Sequence, residues 1–173
     1  TLPMMSIIID PADLWDEETG IYTHPQERGT VWERPADVVF VDTDRTSGFH
    51  IPAGVRVHGG NSRHQPKKPL RLYFRSEYGT PRLEYPLFPQ SEVDSFKRLI
   101  LHAGGNEYPH ANSNGTLLRN PLATSLSTEI DGLATQHRPA IIFINGHLWG
   151  IYHIREFKNP SFWRDHYGVT VDD

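Results

Sequence analysis

The chain reads as an α+β protein, mainly antiparallel β-sheet with two or three short helices. Three observations predict this. Fourteen Gly and fourteen Pro are spread over 173 residues, which favours short strands and turns over long helices. Apolar residues recur at a spacing of two in a series of short segments. Helical spacing appears after two Asn-Pro dipeptides, Asn120-Pro121 and Asn159-Pro160. No break in composition divides the chain, so residues 1–173 are expected to form a single unit.

Taken in order, Met5 to Ile9, Val38 to Val41, Ala53 to His58, Leu70 to Arg75, Arg98 to His102 and Ala140 to Ile144 predict strands. Leu148 to Ile154 pairs back through Asn145-Gly146, a dipeptide that tolerates the positive φ angles a two-residue hairpin turn requires. Asp42 to Ser47 predicts a turn whose carboxylates are solvated. Asn120 is expected to cap a helix that begins at Pro121, with Leu122, Ala123, Leu126 and Ile130 on one face. Asn159 and Pro160 repeat the device for a helix bearing Phe162, Trp163 and Tyr167, which Gly168 would stop. The stretch between Gly104 and Gly115 is rich in Gly, Asn and His and has no periodicity, as in functional or mobile loops.

Composition excludes several classes. Hydrophobic residues make up 37% of the chain, and four Trp, seven Tyr and eight Phe supply enough apolar area for a core. A net charge of −4 gives no global attraction to nucleic acid, so any basic site must be local. Without cysteine there is no disulfide, thiolate metal site or thiol nucleophile. No apolar run approaches the about 20 residues of a membrane-spanning helix. The histidines show no His-Glu-x-x-His spacing, and no Gly-x-Ser-x-Gly elbow is present.

The chemistry that remains centres on the run from Gly54 to Leu72. It contains a Gly59-Gly60 turn between strands, followed by Ser62, Arg63 and the pair Lys67-Lys68. Glycines let backbone N–H groups face an anion, and lysines add charge beside it, although the same turn also serves as a plain hairpin. Alternation puts Lys68 on the face of Leu70, Leu72 and Phe74, and Lys67 with Arg71, Tyr73 and Arg75. An inward Lys68 would need an acidic or phosphate partner. The alternative places both lysines on a solvated edge. Glu156, after the apolar strand 148–154, is the candidate acid; the other reading is a surface pair with Arg155.

Several segments together resemble one family. They are Ile7-Ile8-Ile9-Asp10-Pro11, Leu14-Trp15-Asp16, Trp32-Glu33-Arg34-Pro35, Arg56-Val57-His58-Gly59-Gly60 with Pro66-Lys67-Lys68, Tyr85-Pro86-Leu87-Phe88, Gly104-Gly105-Asn106, and Trp149-Gly150-Ile151-Tyr152 with Glu156. Their order along the chain is similar to the CotH kinases, named for a bacterial spore-coat protein and related to the atypical kinase-like fold. The resemblance implies transfer of the ATP γ-phosphate to Ser/Thr hydroxyls of secreted or cell-surface proteins, with ATP and Mg²⁺ as cofactors. It implies that Gly59, Gly60, Ser62 and Arg63 lie near the phosphates, that Lys68 or Lys67 contacts them, and that Glu156 orients the lysine.

Three positions depart from the pattern: Pro69 for a serine, His102 for an arginine and Asn120 for an aspartate. The family continues into a helical half whose Asn-x-Asp-Trp and Trp-Asp-x-Asp motifs supply the catalytic base and metal-binding acids; neither motif occurs here. Residues 1–173 are therefore expected to be the amino-terminal, nucleotide-covering portion, inactive alone. A non-catalytic surface or matrix-binding module with the same fold is the alternative. The helix with Phe162, Trp163 and Tyr167 is expected to leave an apolar patch open to self-association.

Overall fold

The computed structural model describes residues 1–107, 115–130, 132 and 134–169. Nine strands and three α-helices are assigned among them: β1 (Met4–Ile9), α1 (Pro11–Trp15), β2 (Arg34–Val41), β3 (Gly48–Val57), β4 (Leu70–Tyr73), β5 (Leu83–Glu84), β6 (Ser95–Phe96), β7 (Arg98–His102), α2 (Arg119–Glu129), β8 (His137–Ile144), β9 (His147–Glu156) and α3 (Pro160–Tyr167). Seven strands close into a barrel in the order β1-β2-β3-β4-β7-β9-β8, and β5-β6 form a separate ribbon. The α+β class holds, and every pairing is antiparallel except one. β1 runs parallel to β8, matching Met4 to Ile141 and Ile7 to Ile144, and this contact closes the barrel.

Period-two alternation explains the interior. Met5 and Ile7, Val38 and Phe40, Ala53 and Val55, Leu70 and Leu72, Leu99 and Leu101, Tyr152 and Ile154, and Ala140 and Ile142 all point inward and are buried. The β8–β9 hairpin turns at Asn145 and Gly146, both with positive φ (50° and 80°), as that dipeptide predicts. The Asn145 side chain also accepts from Ile9 N and donates to Ile9 O, fastening the turn to β1.

The caps differ from expectation. Asn159 does cap α3, accepting from Phe162 N at 3.0 Å, and Gly168 ends it in the left-handed conformation. Asp10 before Pro11 does the same for α1, a third helix that sequence periodicity is too short to announce. Asn120 does not cap α2, because it lies inside the helix. The buried carboxylate of Glu107 takes that place, accepting from Arg119 N at 2.8 Å and Asn120 N at 3.4 Å.

One further expectation is corrected. Asp42 is not solvated: Arg138 forks onto it, Tyr85 donates to it, and the guanidinium holds its pKa down to about 2. A second exposed apolar stripe, not foreseen in the sequence, runs along α2 and its flanks. Leu118, Leu122, Leu126 and Ile130 are more than half exposed; near α3 Phe162 is buried, and Tyr167 and Val169 are about half exposed. Of the loop from Gly104 to Gly115, residues 108–114 lie outside the described residues. No described helix is long and apolar enough to cross a membrane.

The barrel interior and the α2 stripe should respond oppositely to truncation. Leu101→Ala is expected to cost about 2–5 kcal/mol by urea unfolding, and Leu122→Ala no more than about 0.5 kcal/mol.

Candidate anion-binding site

The residues that point outward from β3, β4, β7 and β9 form an ordered array. Register places Arg56 opposite Arg71, Arg71 opposite Ile100, and Ile100 opposite Arg155. One step along the strands, Tyr73 stands opposite Arg98, and toward the other end His102 stands opposite His153. Like charges directly across neighbouring strands repel, so this face needs compensation.

Part of that compensation is aromatic. The ring of Tyr73 lies 4.0 Å from the Arg56 guanidinium carbon, 5.2 Å from that of Arg75, 5.7 Å from Arg98 and 5.8 Å from Arg71. Tyr73 is only 3% exposed although it points out of the barrel, because these guanidiniums cover it. Arg71 also stacks 3.8 Å over Phe157. The carboxylate of Glu33, 1% exposed, accepts from Arg75 at 2.8 Å and stands 3.3 Å from Arg56 Nε. Gly54 leaves room for it, since a Cβ there would lie 2.5 Å from Glu33 Oε1.

Compensation is incomplete. The buried Nε atoms of Arg71 and Arg155 have no hydrogen-bond partner, and that of Arg56 meets only Glu33, as an ion pair at 3.3 Å. A cleft of about 250 Å³ opens at the β3–β4 end, lined by Arg28, Arg56, His58, Gly59, Arg63 and Arg71 among others. Burial and the adjacent Arg71 push the His58 pKa down to about 3. Its imidazole is therefore neutral, and Nδ1 accepts from Arg71 Nη2 at 2.5 Å. A second hollow of about 430 Å³ lies between α2 and strands β7 and β9. It is lined by Asn120, Arg155, Glu156, Phe157 and Lys158 among others, and Asn120 Oδ1 accepts from Arg155 at 2.6 Å. Phe157 joins the two, lining the hollow and stacking on the Arg71 that lines the cleft.

The sequence-selected residues fall into three places. Gly59 and Arg63 line the cleft, and Gly60 and Ser62 complete the turn beside it. Gly59 has φ +98°, and a Cβ there would meet Ser62 Oγ at 2.3 Å, so the turn demands glycine. Arg63 is occupied with backbone: Nε donates to Gly59 O at 2.6 Å, and Nη1 donates to Pro25 O and Glu27 O. It ties the turn to the segment behind it.

Lys68 is inward and buried, as the face it shares with Leu70 and Leu72 requires, but its partner is not an acid. Its ammonium donates to Arg63 O at 2.9 Å and Gln65 O at 3.1 Å, near the Tyr22 ring. Burial pulls its pKa below the ordinary lysine value. Half-buried Lys67 donates to Ile151 O and stands 4.4 Å over the Tyr152 ring, and burial lowers its pKa to about 8.

Glu156 is buried at the opposite end of the barrel, accepting from Gln136 N at 2.8 Å and contacting His166 at 2.6 Å. The pairings place it four strand positions from Lys68, about 13 Å at strand rise. The expected Lys68–Glu156 pair therefore does not form. Arg56, Arg71, Arg155, His58 and Phe157 are the site residues that sequence reasoning passed over. Their signal was present in the outward parity of Arg71, Tyr73 and Arg75, which reads equally as an exposed sheet face.

A family model described as CotH kinase protein matches residues 55–172. The chain belongs to the CotH kinase family. The match begins at the end of β3 and takes in the Gly59-Gly60 turn, the arginine row and all three elements around the larger hollow. No curated protein matches the chain.

In this CotH-family chain the neutral histidines of the face carry a pH signature. His58 falls from 6.5 to about 3 and His102 to about 4, both mainly through burial. Each folded pKa lies below its unfolded value, so the unfolded chain binds more protons between them. Their stabilisation is complete above about pH 6.5 and is lost as pH falls through 4 toward 3. The urea midpoint is expected to drop from pH 7 to pH 5, and His58→Asn, which keeps an acceptor but cannot titrate, should reduce that drop.

Proposed function

We propose that the arginine face binds the polyphosphate of ATP, and that the protein transfers the γ-phosphate to Ser/Thr hydroxyls of protein substrates. One observation carries this reading: on one register row Arg71, beside the glycine turn, and Arg155, at the second hollow, keep buried Nε donors without hydrogen-bond partners. Phosphate oxygens would supply the acceptors these donors lack, with fork geometry suited to arginine. Phe157 offers an aromatic surface between the two hollows for a nucleotide base.

Phosphoryl transfer depends on positioning and charge stabilisation more than on covalent chemistry, and this face supplies both for the nucleotide. In this assignment Arg56 and Arg71 hold the phosphates. Arg63 and Lys68 keep the turn in shape through its carbonyls, and Glu156 with His166 anchors α3. Mg²⁺ is a different matter, because among the described residues no group of three His, Asp or Glu could hold a metal. This reading assigns the nucleotide contacts to the arginine face and assigns no described residue to metal binding or to the catalytic base. Residence in a secreted or surface-exposed protein remains part of the proposal.

Calorimetric titration with ATP tests the assignment. Arg71→Ala and Arg56→Ala should each weaken binding by about 2–5 kcal/mol, the loss expected when a desolvated charge contact is removed. Glu156→Gln should leave affinity nearly unchanged. Unchanged affinity in both arginine variants would refute the site.

A further inference from the structure

On the far side of the barrel the surface has the opposite character. Register aligns Ile8 of β1, Asp37 of β2 and Pro52 of β3 in one outward row, with Pro35 beside it. Together with Asp10 and Glu77 they line a shallow groove of about 630 Å³. Ile8 lines it 50% exposed, although both its chain neighbours, Ile7 and Ile9, are buried. Asp37 and Glu77 keep more than half of their side chains in solvent, and no lysine or arginine lines the groove. The Tyr78 phenol also lines the groove, and the nearest positive groups are peripheral: His50 is 3.2 Å from Asp37 and Arg75 is 3.9 Å from Glu77.

We infer that this groove docks a basic, aliphatic-bearing peptide segment of a partner protein. Charge complementarity selects the occupant. Three carboxylates around an exposed isoleucine and two proline rings attract Lys or Arg side chains flanking a leucine or valine. An anionic membrane surface would be repelled, and a purely apolar partner would strand the carboxylates out of water. The inference does not rest on the ATP reading, because the groove shares no lining residue with the arginine face.

The test is fluorescence anisotropy with a labelled peptide of alternating lysine and leucine, run beside its glutamate–leucine counterpart. ¹⁵N resonances are followed in parallel. Expected results are binding of the lysine peptide only, weakening with added salt, and shifts centred on Ile8, Asp37 and Glu77. The double variant Asp37→Lys, Glu77→Lys and the single variant Ile8→Ser, all at exposed positions, should each weaken binding by at least about tenfold. Three results would overturn the proposal. One is no binding by the wild-type chain, and another is equal binding by the charge-reversed chain with native circular dichroism. The third is concentration-dependent self-association that the charge reversal abolishes, which would assign the groove to a second copy.

Discussion

The arrangement of guanidiniums around the Tyr73 ring is the constraint on which the rest of the binding face depends. Antiparallel pairing sets Arg56 and Arg71 directly opposite one another, and two free cations at that spacing would splay their strands. The face tolerates them because each has several partial neutralisers. The tyrosine ring presents its negative quadrupole, Glu33 contributes a buried charge to Arg56 and Arg75, and His58 stays neutral to accept from Arg71. None of these satisfies every donor. The result is a rigid positive surface on a chain whose overall charge is negative, and rigidity matters because a preorganised cation pays no ordering entropy when an anion arrives.

Lys68 shows how a charged motif residue can serve the shape of a turn. Lys68 uses its charge to gather the carbonyls of Arg63 and Gln65, and Arg63 in turn gathers those of Gly59, Pro25 and Glu27. Each cation answers backbone acceptors that a tight glycine turn cannot satisfy for itself. The turn holds its shape from behind, and its front is left to Arg56 and Arg71.

Much of this architecture was legible in the residues, and the misses share a cause. Alternation located the barrel strands, Asn145-Gly146 located the hairpin, and parity turned Lys68 inward. Parity reports a face, however, and not a position along it, so Lys68 and Glu156 could share the interior while lying at opposite ends. Asn120 failed as a cap for a similar reason: α2 begins at Arg119, whose N–H goes to the remote carboxylate of Glu107, and the Asn120 side chain is taken by Arg155, 35 residues away. Asp42 gave no local hint of Arg138, 96 residues away. The parallel closure of β1 on β8 is likewise invisible to any window of sequence. Local rules predicted local geometry, and contacts between remote segments decided the site.

That closure has a bearing on how the chain reaches its native state. The first strand must find a partner more than 130 residues downstream, so its pairing carries a large loop-closure entropy and belongs among the late steps of folding. Until it docks, β2 and β8 present bare hydrogen-bonding margins, which are templates for aggregation. The stretch matched by the family model begins at residue 55 and omits β1, β2 and all of β3 before Val55. A polypeptide trimmed to that stretch would carry the arginine row on an open sheet, because the first 54 residues supply the strands that close it.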